Sequence, residues 1–256
     1  LLVFAFLLGA VLAYDRHVTD PVATVVDSAS RIFYRLSSIV VDVIGIGLVA
    51  VAASLMFTLR RTAELAIYGQ LLLVVSVAVI LIGLVIYPLS IYLLRRSSDP
   101  FRWLASMAAP ALQALASGDI YFTYPTLVRV TSSEREIGRR RGGAILPLAT
   151  ALSRAGSAAV AAATFVVVIR SYTALEMGVG EVLWILLFGT LFSLLLSRFP
   201  AAGVPVLLGT LATSYGQGME EAYLIVFPVM PILLRLGALL DTVTAGFIVE
   251  VVGRPE

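Results

Sequence analysis

The sequence predicts an all-α membrane protein. Of its 256 residues, 60% are hydrophobic and only 13% are charged, whereas a soluble domain has roughly 25% charged residues. The apolar residues form several runs of about 20 residues, the length that an α-helix needs to cross the hydrocarbon core. Short polar interruptions inside the later runs indicate re-entrant hairpins and broken helices, which are typical of transporters.

The first part of the chain reads as ordinary spans. Leu1–Tyr14 is apolar and looks like the end of a span, so we expect further spans before it. Val25–Leu36 is amphipathic and runs into the full span Ile39–Leu59, and Glu64–Leu94 is the next span. We interpret residues 1–94 as scaffold-type transmembrane helices whose N-terminal spans are missing.

The second part, residues 101–256, predicts a transport core. A hairpin is expected over 101–131, because Gly118–Asp119 divides this apolar stretch into halves that are each too short to cross alone. A span follows over 137–170, and the polar tetrad Ser153–Gly156 interrupts it. Irregular backbone at this depth is tolerated only where protein or water surrounds it.

The same order of features returns nearer the C-terminus. Residues 182–217 contain two apolar halves separated by Ser197–Pro205, which predicts a second hairpin with a Gly/Pro tip. A broken helix is expected over 221–252, which contains Pro228 and Pro231. A hairpin followed by a broken helix, occurring twice, predicts an inverted repeat.

Arg154 is the most informative single residue. It lies in the middle of the interrupted span, where a charge costs roughly 3 kcal/mol or more. Such a charge persists when it pairs, lines water or acts on a substrate. Two interpretations remain open: a charge of the functional site, or a structural salt bridge inside the helix bundle.

Composition also excludes several classes of function. The chain has no cysteine and one histidine, His17, so thiolate or histidine metal sites and histidine triads are excluded, and no metal site is predicted with certainty. We predict no enzyme, because acids are scattered rather than clustered at depth. The arginines lie in short loops at span ends, so nucleic acid is not an expected partner, whereas membrane lipid is.

Three stretches carry a family resemblance. They are Ala114–Arg129, Leu146–Ser157 and Ala201–Pro205, which reads Ala-Ala-Gly-Val-Pro. In order and spacing they resemble the first hairpin, the broken seventh span and the second hairpin tip of the dicarboxylate/amino acid:cation symporters, the glutamate transporter homologues. The resemblance covers nearly the whole chain and implies a homotrimer in which each core moves as an elevator.

The departures from that family concern the coupling ion. The family's Asn-Met-Asp-Gly-Thr, which helps to bind sodium, aligns with Ser153, Arg154, Ala155, Gly156 and Ser157. A fixed positive charge thus stands near the expected cation, and two unit charges about 4 Å apart repel by roughly 4 kcal/mol at an effective dielectric of 20. We therefore expect sodium coupling to be weakened or replaced by protons, so that Na⁺ or H⁺ are the possible coupling ions and no other cofactor is implied.

The resemblance also suggests roles for individual side chains. Arg235 would grip a carboxylate with its planar fork, or else pack between helices and reach toward a water cavity. Asp241 would be a residual cation or proton site, or else a partner of Arg235. Asp119 is the expected partner of Arg154. The full predicted substrate site is Asp119, Ser153, Arg154, Ser157, Gly203, Val204, Pro205, Arg235 and Asp241.

Two functions are consistent with this sequence. The first is a secondary active transporter of a small carboxylate, either an amino acid or a dicarboxylate, in the inner (cytoplasmic) membrane of a prokaryote. The second is a homologue that no longer transports and serves as a membrane sensor, a structural subunit or an anion-conducting pore. The altered Ser153–Ser157 motif favours the second function, and the retained hairpin tips favour the first.

Overall fold

The computed structural model is helical throughout and has no strand in the part of the chain that it describes. That part comprises residues 7, 9–10, 16–61, 67–94, 99–134, 137, 139–152, 154–173, 177–196, 202–216, 218–219 and 222–253. The chain divides into two compact units, Leu1–Ile44 and Gly45–Glu256. Helix α1 (Arg16–Arg61) contributes residues to both.

In the first unit, α1 exposes apolar side chains such as Ile32 and Phe33, which are 69% and 67% exposed. Its polar residues pair locally: Arg31 Nη2 lies 2.7 Å from Asp27 Oδ2, one turn away. Apolar groups left exposed along a long helix are consistent with lipid as its surroundings.

After α1, the second unit contains a long, continuous apolar helix over residues 69–94. Helix α2 (Gly69–Ile80) passes through a π-helical turn (Leu81–Ile86) into α3 (Tyr87–Leu94). Apolar residues surround this helix on all sides, without a polar face, which is the pattern of a membrane span.

Helices α4 (Pro100–Ser117) and α5 (Ile120–Arg129) form the predicted first hairpin region. The Asp99 carboxylate accepts a hydrogen bond from the Phe101 amide at 2.9 Å, which caps the start of α4. Gly118 ends α4 in the left-handed conformation, at φ 74°, which a residue with a Cβ adopts only at a cost. A π-helical turn (Val130–Glu134) follows α5.

The interrupted span consists of α6 (Arg139–Leu152) and α7 (Ala155–Thr173), with Arg154 outside both helices. Helices α8 (Val179–Leu195) and α9 (Gly203–Tyr215) come next, in the region of the predicted second hairpin. The last part contains α10 (Ala222–Ile225), a 3₁₀ turn (Phe227–Val229) and α11 (Met230–Gly253).

Helix α11 is the centre of the second unit. It is buried along most of its length and packs against α4, α6, α7 and α9. It runs without interruption, so the break predicted within 221–252 lies at the 3₁₀ turn, on the N-terminal side of both Arg235 and Asp241. The two polar residues therefore keep ordinary helical spacing.

Four helices among the described residues are long and apolar enough to cross a membrane: Asp20–Ser54, Gly69–Leu94, Arg141–Ser171 and Phe227–Gly253. Two shorter apolar helices, Val179–Leu194 and Gly203–Tyr215, accompany them. The expectation of an all-α integral membrane protein is thereby confirmed.

Candidate functional site

The site is built around Asp241, whose side chain is fully buried in the middle of α11. Two donors of Ser157 hold its carboxylate: the amide nitrogen at 2.8 Å from Oδ1 and the hydroxyl oxygen at 2.5 Å from Oδ2. Ser157 lies in the first turn of α7, where backbone N–H groups have no partner within their own helix. Asp241 thus satisfies an amide of α7, at the helix end whose dipole favours a negative charge.

Arg154 supplies the positive charge of the site. Its Nη1 lies 3.5 Å from Asp241 Oδ2, and the two side chains are only 2% and 0% exposed. Arg154 lies just before α7, which begins at Ala155, and the Ala158 amide donates to the Arg154 carbonyl at 2.9 Å. The break therefore places a guanidinium beside the carboxylate that holds the start of α7.

Three glycines explain how the helices approach so closely. A Cβ on Gly156 would overlap the backbone of Leu240 and Asp241, so α7 and α11 are in backbone contact. A Cβ on Gly203 would lie 2.8 Å from Ser157 Oγ, and one on Gly237 would lie 2.7 Å from Val204 Cγ2 and 3.2 Å from Ser157 Oγ. Ser157 is consequently the meeting point of α7, α9 and α11.

Arg154 also contacts an aromatic ring. Its guanidinium carbon lies 5.5 Å from the centre of the Tyr121 ring, within the range of a cation–π interaction. Tyr121 follows the turn that joins α4 to α5 and is 38% exposed. The ring therefore stands between the buried ion pair and the surface of the first hairpin region.

The expected pairing of Arg154 with Asp119 is wrong. The ion pair of Arg154 is with Asp241, and the Asp119 carboxylate instead accepts a hydrogen bond from the Tyr121 amide at 2.9 Å. Asp119 is thus the N-cap of α5. A local hydrogen bond within two residues competes well with a distant partner, because it orders little additional chain.

The alternative pairing of Asp241 with Arg235 is wrong as well. Arg235 is half buried and donates from Nη1 to the Pro231 carbonyl at 2.7 Å and from Nε to the Ala116 carbonyl at 3.4 Å. Gly118 lies against the same side chain, since a Cβ there would come within 3.3 Å of Arg235 Cγ. Arg235 therefore lies under the turn between α4 and α5.

The predicted residues thus fall into three groups. Arg154, Ser157 and Asp241 form one network, with Gly203 and Val204 packed against it. Asp119 and Arg235 belong to the α4–α5 turn, Pro205 lies in the first turn of α9, and Ser153 lies outside the described residues.

Sequence reasoning missed the hydroxyl groups that flank Asp241. Thr242 Oγ1 lies 3.3 Å from Thr123 Oγ1, and Thr244 Oγ1 lies 2.7 Å from the Tyr87 hydroxyl. All three threonines are buried. The available signal was the Asp-Thr-Val-Thr sequence within an apolar span, because buried hydroxyls require hydrogen-bond partners.

The donors that contact the Asp241 carboxylate disfavour a sodium ion at that carboxylate. Both carboxylate oxygens already face donors, namely the Ser157 amide and hydroxyl and the Arg154 guanidinium. Sodium requires oxygen lone pairs, whereas amide and guanidinium groups present hydrogen atoms. In this arrangement the positive charge next to Asp241 belongs to the chain itself.

In a multi-span helical protein, a buried ion pair at a helix break is typical of membrane transport proteins. The model of the sodium:dicarboxylate symporter family matches residues 1–254, and the chain belongs to this family, as the resemblance suggested. The family comprises transporters of carboxylates rather than enzymes. No curated protein matches the chain.

Proposed function

We propose that the protein is a secondary active transporter of a small carboxylate, in which the Arg154–Asp241 pair replaces a mobile coupling cation. The observation that carries this proposal is the buried ion pair at the break between α6 and α7. Family membership supports the carboxylate substrate, and the fixed guanidinium makes strong sodium coupling through Asp241 unfavourable.

The electrostatics favour the internal cation over an external one. Charges separated by the 3.5 Å between Arg154 Nη1 and Asp241 Oδ2 attract by about 5 kcal/mol at an effective dielectric of 20. Breaking a buried pair by removing one partner costs roughly 3–5 kcal/mol. A sodium ion would have to displace the guanidinium and also give up its own hydration, whereas the tethered cation is already in place.

The short second helix of each predicted hairpin supports a re-entrant course, whereas the first helices, α4 and α8, have 18 and 17 residues and extend about 27 Å and 26 Å. Helix α5 has 10 residues and α9 has 13, so they extend about 15 Å and 20 Å at 1.5 Å per residue. Both lengths fall short of the roughly 30 Å hydrocarbon core. On the basis of the family resemblance, we extend the proposal to an elevator-type movement of residues 101–256 within a homotrimer, with residues 1–94 in the scaffold.

Arg235 is the proposed ligand for the substrate carboxylate. The Ala116 and Pro231 carbonyls engage Nε and Nη1 and so orient the planar guanidinium. The Nη2 amino group remains available to a ligand, since none of the described residues is recorded as accepting from it. A guanidinium oriented in this way suits an incoming carboxylate, and the hairpin tips at Asp119 and Gly203–Pro205 would contact the rest of the substrate.

The test uses the purified protein in detergent and in liposomes. Thermal unfolding is measured against a panel of amino acids and dicarboxylates with and without sodium, because a ligand that binds only the folded state raises the melting temperature. Uptake of any stabilising compound is then measured under a sodium or a proton gradient. Stabilisation and uptake that do not depend on sodium are expected, whereas strictly sodium-dependent binding would contradict the tethered-cation proposal.

One observation favours the second candidate, a homologue that does not transport. Each carboxylate oxygen of Asp241 already contacts a donor group of the chain, so the carboxylate has partners without a ligand. The discriminating measurement is substrate exchange across the liposome membrane. A compound that raises the melting temperature without being exchanged would support a sensor, and ion currents without exchange would support a pore.

A further inference from the structure

A groove lies at one end of the second unit, away from the Arg154–Asp241 network. Its volume is about 710 Å³, and its walls come from the start of α2, the last turns of α7 and α10. The Tyr68 hydroxyl donates to the Ile225 carbonyl at 2.7 Å, which joins two of these walls. The volume falls within the roughly 300–1,000 Å³ that is usual for ligand pockets.

The groove is lined by both apolar and polar side chains. Its apolar wall consists of valine, leucine and isoleucine side chains, including Leu71, Val74 and Val167. Polar groups are present as well, namely Arg170, Ser171 and Gln70. A slot with apolar walls and a cationic group is complementary to an amphiphile that carries a negative head group.

Arg170 is the cationic side chain of the groove that would contact such a head group. It is exposed, and no ion pair or hydrogen bond of its side chain is recorded among the described residues.

The position of the groove at the ends of two candidate spans favours a lipid as its ligand. Gly69 begins one candidate membrane span and Ser171 ends another, and the groove lies where these two ends meet. Span ends lie at the level of the lipid head groups, where arginine side chains interact with lipid phosphates. A lipid is abundant at this level and supplies both an acyl chain and an anion.

We propose that the groove binds an acidic phospholipid, with the head-group phosphate at Arg170 and one acyl chain along Leu71, Val74 and Val167. The bound lipid joins α2, α7 and α10. Arg170 is 13 residues beyond Ser157 on α7, about 20 Å along the helix axis, so this site is separate from the substrate site.

The test measures lipid binding to the unaltered protein, independently of transport. The protein is delipidated and then titrated with phosphatidylglycerol or with phosphatidylcholine of identical acyl chains, and bound lipid is counted by native mass spectrometry. We expect preferential binding of phosphatidylglycerol. Arg170→Gln should weaken it about fivefold, which corresponds to about 1 kcal/mol.

Two further variants separate charge from shape. Arg102→Gln removes an exposed arginine outside the groove and should leave binding unchanged, whereas Val74→Trp fills the apolar wall and should lower the affinity for both lipids. Equal binding of the two lipids, or equal affinity in Arg170→Gln and the parent, would overturn the proposal. No binding by the unaltered protein would overturn it too, and would indicate another segment of the chain in the groove.

Discussion

Replacing Arg154 by Met removes the guanidinium and leaves Asp241 as a buried charge. Met is the residue of the family motif at this position, and its unbranched side chain retains much of the apolar volume. The carboxylate keeps the two hydrogen bonds from Ser157 but loses the cation 3.5 Å away. We expect the protein to lose roughly 3–5 kcal/mol of stability.

The assay is the melting temperature of the full-length protein in detergent, measured with and without sodium. At the lower limit, the loss corresponds to a fall of about 6 °C or more in a domain of this size. Sodium should restore part of the loss in Arg154→Met, because Asp241 then faces a space without an internal cation. The unaltered protein should show no sodium effect at this site.

The double variant Arg154→Met/Asp241→Asn serves as the control. It removes both charges together, so it should be more stable than Arg154→Met alone, as expected for a coupled buried pair. Arg154→Met with an unchanged melting temperature would refute the reasoning. A double variant no more stable than Arg154→Met would refute it as well, since Asp241 would then not depend on Arg154.

Other substitutions test the geometry around this pair and the α4–α5 turn. Gly156→Ala should reduce the free energy of unfolding by about 1–3 kcal/mol or more, since its Cβ would overlap the α11 backbone. Gly143→Ala is the matched control, because a Cβ there would meet no atom of another described segment within 4 Å. Ser157→Ala should cost about 1.5–3 kcal/mol in thermal unfolding, because it removes a hydroxyl hydrogen bond to a charged carboxylate. Arg235→Gln should abolish stabilisation by carboxylate ligands with a smaller change in the melting temperature of the ligand-free protein, and a larger change would assign Arg235 to holding the turn. Gly118→Ala should reduce the free energy of unfolding by about 1–2 kcal/mol or more and so lower the melting temperature, because φ is 74° and the Cβ would meet Leu234.

The helical architecture could be predicted because it depends on local patterns. The polar tetrad Ser-Arg-Ala-Gly within an apolar stretch predicted an interruption of the helix, and Arg154 lies outside α6 and α7. In the last span, two prolines indicated a break, but their pattern did not locate it. The 3₁₀ turn lies at Phe227–Val229, whereas Pro231 lies in the first turn of α11, a position that proline tolerates.

The partner of Arg154 could not be predicted, because it depends on contacts between distant segments. Asp119 was expected to reach Arg154. The Tyr121 amide in the first turn of α5 lies only two residues away, so the Asp119 carboxylate caps that helix instead. Asp241 becomes the partner because Gly156 allows α7 to approach the backbone of α11 at that point. A glycine in a sequence does not reveal which helix it will contact.

The same reasoning explains why Arg235 and Asp241 serve different parts of the protein. They lie six residues apart on an uninterrupted helix, so their side chains point about 120° apart around its axis. Asp241 faces the start of α7, and Arg235 faces the end of α4. Helix α11 therefore connects a closed charge pair on one side with an arginine under the first hairpin region on the other. A carboxylate bound at Arg235 would act on the α4–α5 turn directly, without requiring the Arg154–Asp241 pair to open, and this separation is what makes sodium-independent substrate binding the expected behaviour.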